Sequence, residues 1–184
     1  MILILEGVSG SGKTSLAKIL KRYGFAYFKD NFIAKRLDPM LLNEKKKDYI
    51  EARLEAQAAM VKAMANADVN VILDRFHFSE WVYGYVERGY SADYVWSIDE
   101  ALAETGDVRQ IILTRNTKRD FANAEEEALQ IKQQDMYTKA LDKTKIPTLV
   151  GNASDEHLLP AIRSYIMSKG YKILGEAGKK VVIE

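Results

Sequence analysis

Gly7-Val8-Ser9-Gly10-Ser11-Gly12-Lys13-Thr14 is the stretch that decides the fold of this chain. It follows the apolar run Ile2-Leu3-Ile4-Leu5 and precedes a helix-forming stretch from Ser15 to Arg22. A strand, a glycine-rich turn and a helix in that order are the setting of a Walker A phosphate-binding loop. Glycines let successive backbone N–H groups turn inward on a nucleotide's phosphates, so Gly7, Ser9, Gly10, Ser11, Gly12, Lys13, Thr14 and Ser15 are the candidate nucleotide-binding residues. Within the motif Lys13 reaches the β- and γ-phosphates, the Thr14 hydroxyl ligates Mg²⁺, and the helix adds its positive N-terminal end. A Gly/Ser turn of no consequence would match the four fixed positions in well under about 1% of chains this long, given average residue usage. A site for ATP and Mg²⁺ follows.

The remaining composition limits the company this loop keeps. The chain has 184 residues, 47% hydrophobic and 29% charged, enough for one well-buried core and too little for two ordinary domains. Residues 1–184 are therefore expected to form a single domain. Lys+Arg 27 against Asp+Glu 26 leaves a net charge of +1, so no strong field favours a polyanion, and a small-molecule nucleotide is favoured over nucleic acid as partner. No cysteine is present, and two histidines far apart in the chain make no metal cluster; any metal should arrive with the nucleotide. The apolar runs are shorter than the roughly 18 residues of a membrane span, and no cationic signal region precedes Ile2, which points to the cytoplasm.

Along the chain, strands are expected at residues 2–5, 25–28, 69–73, 109–113 and 148–150, alternating with helices near 13–22, 44–67, 76–88, 92–104, 123–141 and 155–168. That alternation predicts an α/β fold: a five-stranded parallel doubly wound sheet with helices on both faces. On the 44–67 helix, Tyr49, Arg53, Ala56 and Met60 recur on one stripe. Asp30, just past the second strand, and Asp74-Arg75, just past the third, lie at the carboxyl edge where such sheets bind ligands. The cationic segment from Arg115 to Arg119 follows the fourth strand and reads as a short lid, residues 115–123. Residues 171–184 read as a C-terminal extension, either a hairpin or a loose tail.

Glu6-Gly7 at the entry to the loop and Asp74-Arg75-Phe76-His77-Phe78-Ser79 after the third strand make the chain resemble the thymidylate kinase and deoxynucleoside kinase superfamily of P-loop kinases. That family has a Glu-Gly entry and an Asp-Arg-Tyr-x-x-Ser segment. The resemblance spans residues 2–168, and Gln134-Asp135-Met136-Tyr137 looks like the family's helix after the lid. It implies that Arg75 holds an acceptor phosphate, that Asp74 sits near Mg²⁺ directly or through water, and that Phe76 lies against the acceptor sugar and disfavours a 2′-hydroxyl. It also implies base recognition by Tyr49 and Arg53, whose spacing of four places ring and guanidinium on one helix face. A homodimer is common in the family.

Two departures stand out. The family's Arg-Glu-Pro-Gly-Gly segment after the second strand is replaced by Lys29-Asp30-Asn31, and the phosphate loop has no arginine among Val8, Ser9, Gly10 and Ser11. The cations that neutralise the transferring phosphoryl group are then expected from the lid, as Arg115 and Arg119, with Lys13 in the loop and Asp30 or Asp74 steering the acceptor oxygen. The expected activity is ATP- and Mg²⁺-dependent transfer of the γ-phosphoryl group to a pyrimidine deoxynucleoside monophosphate resembling dTMP. The alternatives are a deoxynucleoside kinase, and a kinase acting on a hydroxyl of nucleic acid or a modified base.

Overall fold

A computed structural model describes residues 1–29, 43–115, 121, 123–167 and 181–182. Asp30, Arg119, and most of the expected lid and C-terminal extension lie outside the described residues.

The five expected strands form: β1 (Ile2–Glu6), β2 (Ala26–Lys29), β3 (Val71–Asp74), β4 (Val108–Thr114) and β5 (Thr148–Asn152). A two-residue β6 (Val181–Val182) adds a sixth strand to the far edge of β5. The order is β2-β3-β1-β4-β5-β6, and every pairing is parallel. β1 lies between β3 and β4 with all five of its residues buried, which is why it reads as a continuous apolar run.

Helices cover both faces, and the pleat sorts the strand residues between them. Leu3, Leu5, Ile72, Ile111, Leu113 and Leu149 pack against α1 (Lys13–Leu20) and α6 (Leu158–Met167). On the opposite face, Ile2, Ile4, Val71, Leu73 and Val108 pack against α2 (Asn43–Asn66) and α4 (Val95–Ala103). Beside that second layer, α3 (His77–Tyr83) and α5 (Ala124–Ala140) cover Val8, Ile112 and Val150. The helix expected over 76–88 is divided: α3 passes at Gly84 into a π-helical stretch, Gly84–Arg88, that Gly89 ends in a left-handed conformation.

The buried face of α2 differs from the expected stripe. Ile50, Leu54, Ala58, Val61 and Ala65 enter the core, whereas Ala56 is exposed and Met60 is 48% exposed. Tyr49 and Arg53 are half-buried on the flank, Tyr49 packing against the core cluster. The physical reason is Arg53: a stripe containing a guanidinium cannot be the driest face when an all-aliphatic stripe lies one residue away. Leu54→Ala should therefore cost about 2–5 kcal/mol in a denaturant titration, and Met60→Ala no more than about 0.5 kcal/mol. The reverse ranking would restore the Tyr49–Met60 stripe as the core face.

Candidate active site

β1, β3 and β4 end together, and the phosphate loop is laid across that edge. Gly7 (φ +131°) passes so close over β4 that a Cβ there would lie 2.2 Å from the Leu113 carbonyl oxygen. Gly12 (φ +92°) leaves the same kind of gap, its absent Cβ 2.5 Å from that of Ala153 in the β5–α6 connection. These two positions admit only glycine. Gly12 also caps α1 with no side-chain hydrogen bond, so the first N–H groups of the helix remain available to an anion.

Lys13 is 6% exposed and curls back on the loop, its Nζ donating to the carbonyls of Gly7 (2.8 Å) and Val8 (2.7 Å) and to Ser11 Oγ (3.1 Å). Burial first, and the Arg75 guanidinium second, push its pKa down to about 7 against the pull of Asp74 and Glu6. Thr14 follows on the exposed rim, and its hydroxyl donates to Asp74 Oδ2 at 3.3 Å. Asp74 ends β3 and is 4% exposed; the same Oδ2 accepts from the Tyr27 hydroxyl at 2.5 Å. Burial and the contact with Asp74 push the Tyr27 phenol up to about 12, so it stays a donor at neutral pH.

Arg75 takes a left-handed backbone (φ 75°), an uncommon conformation for a side-chain-bearing residue. Its N–H donates to Leu5 O (2.8 Å), and its guanidinium reaches Ser79 Oγ (3.4 Å) and the hydroxyl of Tyr83, whose ring centroid lies 5.1 Å away. The segment beyond it is fastened to Glu6, which is fully buried. Glu6 Oε1 accepts from Phe76 N (2.8 Å) and Ser79 N (3.3 Å), and Oε2 from the hydroxyls of Ser79 and Tyr137.

A cleft of about 370 Å³ results, lined by residues of the loop and the start of α1 together with Lys29, Asp74 and Arg75. Of the nucleotide-binding candidates, Ser9, Gly10, Gly12, Lys13, Thr14 and Ser15 line it, and Gly7 and Ser11 lie beneath, holding Lys13. Thr14 and Asp74 converge as a cation site would require. No group of three His, Cys, Asp or Glu among the described residues could hold a metal alone, so the donor set fits a cation that brings phosphate and water ligands with it.

Other candidates lie elsewhere. Tyr49 and Arg53 are not among the cleft residues. Phe76 is 3% exposed and packed into the core beneath α2, so its ring is committed to the interior rather than to a sugar. Arg115, half-buried, lines a separate cleft of about 340 Å³ with Val8, Phe121, Gln130, Ile131, Gln134 and Asp135. His77 is structural: fully buried, it meets Asp99 Oδ2 at 3.0 Å. Tyr27 and Tyr83, which no sequence motif marks, reach Asp74 and Arg75 with their hydroxyls. Lys29, expected in the polar group at the carboxyl end of the second strand, is the last residue of β2, and the register that sets it beside Asp74 makes it a cleft residue.

The depressed Lys13 pKa has a measurable sign. With its pKa pushed down to about 7, the free side chain is expected to be largely neutral near pH 8, and bound phosphates favour the ammonium, so nucleotide binding should take up protons. Calorimetry of ADP binding at pH 8, in buffers of different ionisation enthalpy, should give an uptake of at least about half a proton, lost in Lys13→Met. Zero uptake or proton release would show that Lys13 is already charged in the empty loop.

Comparison with known proteins supplies a fold. No protein-family model matches the chain, and no curated protein matches its sequence. Solved structures do match. Thymidylate kinase from Ehrlichia chaffeensis superposes with a TM-score of 0.63 at 14% identity, over 90% of this chain and 98% of that one. YorR protein from Bacillus subtilis, solved in complex with phosphorylated GDP, gives 0.61 at 18% identity, over 90% of this chain and 95% of that one. Thymidylate kinase from Candida albicans gives 0.58 at 18% identity, over 89% and 91%. No helix among the described residues is long and apolar enough to cross a membrane. With a parallel sheet, a phosphate loop after β1 and an Asp-Arg pair at the end of β3, the chain has the thymidylate kinase-like P-loop kinase fold.

Proposed function

We propose that the chain is an ATP- and Mg²⁺-dependent nucleotide kinase whose acceptor is a pyrimidine deoxynucleoside monophosphate resembling dTMP. The observation that supports this reading best is the composition of one cleft: Lys13 and Thr14 from the phosphate loop face Asp74 and Arg75 from the end of β3. Among the described residues the Arg75 guanidinium hydrogen-bonds to hydroxyls, with the buried Glu6 charge near it, and it lines the cleft, where it can pair with a phosphate.

In the reaction the acceptor oxygen attacks Pγ, the bond from Pγ to the β,γ-bridging oxygen breaks, and ADP leaves. The loop N–H groups and the start of α1 hold the donor phosphates, and Lys13 exchanges its three loop oxygens for phosphate oxygens. Thr14 and Asp74 would hold Mg²⁺, which when bound neutralises charge on the donor phosphates. Arg75 fixes the acceptor phosphate and so aligns the attacking oxygen. Arg115 and Arg119 supply further positive charge when the lid region meets the transferring group, Asp30 steers the acceptor, and Tyr49 with Arg53 addresses the base.

A coupled ADP-release screen over nucleoside monophosphates, nucleosides and oligonucleotides tests the acceptor class. Turnover is expected with dTMP-like monophosphates. Arg75→Ala should lower kcat/KM for them by at least about 100-fold, roughly 2.7 kcal/mol, while leaving ATP KM nearly unchanged. Turnover confined to nucleosides or oligonucleotides would contradict the monophosphate reading, as would an Arg75→Ala variant of wild-type activity.

A further inference from the structure

Tyr27 lies in β2, paired with Ile72 in a register that sets Lys29 beside Asp74. It is thus two residues below the level of Asp74, on the α1 side of the sheet, and its half-buried ring packs against the cluster beneath α1. From there the phenol reaches up to Asp74 Oδ2 at 2.5 Å. The only other donor to that oxygen among the described residues is the Thr14 hydroxyl, at a longer 3.3 Å. The final torsion of an aspartate is soft, so a single long hydrogen bond would leave the carboxylate free to turn. A short bond from a ring anchored in the core fixes it.

We propose that Tyr27 is a positioning residue for the cation end of the cleft, acting through Asp74. With the carboxylate held, the Thr14 proton is directed at Asp74 Oδ2 and the lone pairs of Thr14 Oγ1 are left facing the phosphates. A divalent cation arriving with a nucleotide then meets both groups already oriented. Partners in this outer layer of a metal site typically change metal affinity by about 10–100-fold when removed. The inference rests on the nucleotide-binding reading of the same cleft.

The test is ADP binding to the full chain by calorimetry, with Mg²⁺ and with Mg²⁺ removed by chelator. Mg²⁺ should tighten ADP binding to the wild-type protein. Tyr27→Phe deletes one oxygen and keeps the ring, so its metal-free ADP affinity should stay within about twofold of wild type, while the tightening by Mg²⁺ falls by about tenfold or more. Asp74→Ala should lose the tightening too, and adding Tyr27→Phe to it should change nothing further, because the phenol then has no carboxylate to hold. A Tyr27→Phe protein with the wild-type Mg²⁺ effect, an additive double variant, or wild-type ADP binding that Mg²⁺ does not tighten overturns the role of Tyr27 and leaves the nucleotide site standing. Failure of wild-type protein to bind ADP under either condition overturns the nucleotide reading, and Tyr27's role with it.

Discussion

Glu6 ends β1 with its carboxylate fully buried, where removal from water costs several kcal/mol unless hydrogen bonds replace it. They do: two backbone N–H groups at the start of α3 and two hydroxyls, one from α3 and one from α5, converge on its oxygens. One side chain thereby ties together the entry to the phosphate loop, the turn after β3 and α5. Arg75 is the residue caught between these fastenings. Asp74 before it is held in the ladder with β1, its own N–H bonds to Leu5 O, and Phe76 N after it is held by Glu6. The left-handed backbone of Arg75 is sustained by that surrounding structure and aims the guanidinium toward Lys13 and the cleft.

The described lining of the cleft is cationic. Among the described residues, Lys13, Lys29 and Arg75 share its lining with only one acidic side chain, Asp74. Lys13 shows the strain: three oxygens surround its nitrogen, yet burial and the neighbouring guanidinium weaken its hold on a proton. Phosphate oxygens relieve both effects at once, since they bring negative charge as well as acceptors. At the end of the loop, Thr14 joins Asp74 and Tyr27 in a hydroxyl–carboxylate–phenol chain that links α1, β3 and β2 across the sheet edge.

What the sequence made legible was local. The strand–loop–helix of residues 2–22 announces itself because each position is dictated by backbone geometry or by a phosphate, and the alternation of elements then leaves few topologies. Non-local relations were less visible. Tyr27 looks like an ordinary strand aromatic until the β2–β3 register and the reach of its phenol to Asp74 are known. Lys29 lies one residue beyond the expected end of β2, and that shift turns a loop residue into the last strand position, beside Asp74. On α2 the spacing of Tyr49 and Arg53 was real, but the aliphatic stripe beside it took the core. Phe76 occupied the right position in a family motif, and its ring is buried under α2 all the same. The sixth strand pairs with β5 across a long sequence separation that no local pattern marks.

The most direct measurement follows the phosphoryl group itself. ATP labelled in its γ-phosphate is incubated with the protein, Mg²⁺ and either dTMP, thymidine or a single-stranded oligonucleotide, and the products are separated by chromatography. The account predicts label in dTDP, dependent on Mg²⁺ and on Lys13. Label that remains in ATP, or appears only as inorganic phosphate whichever acceptor is supplied, would contradict it.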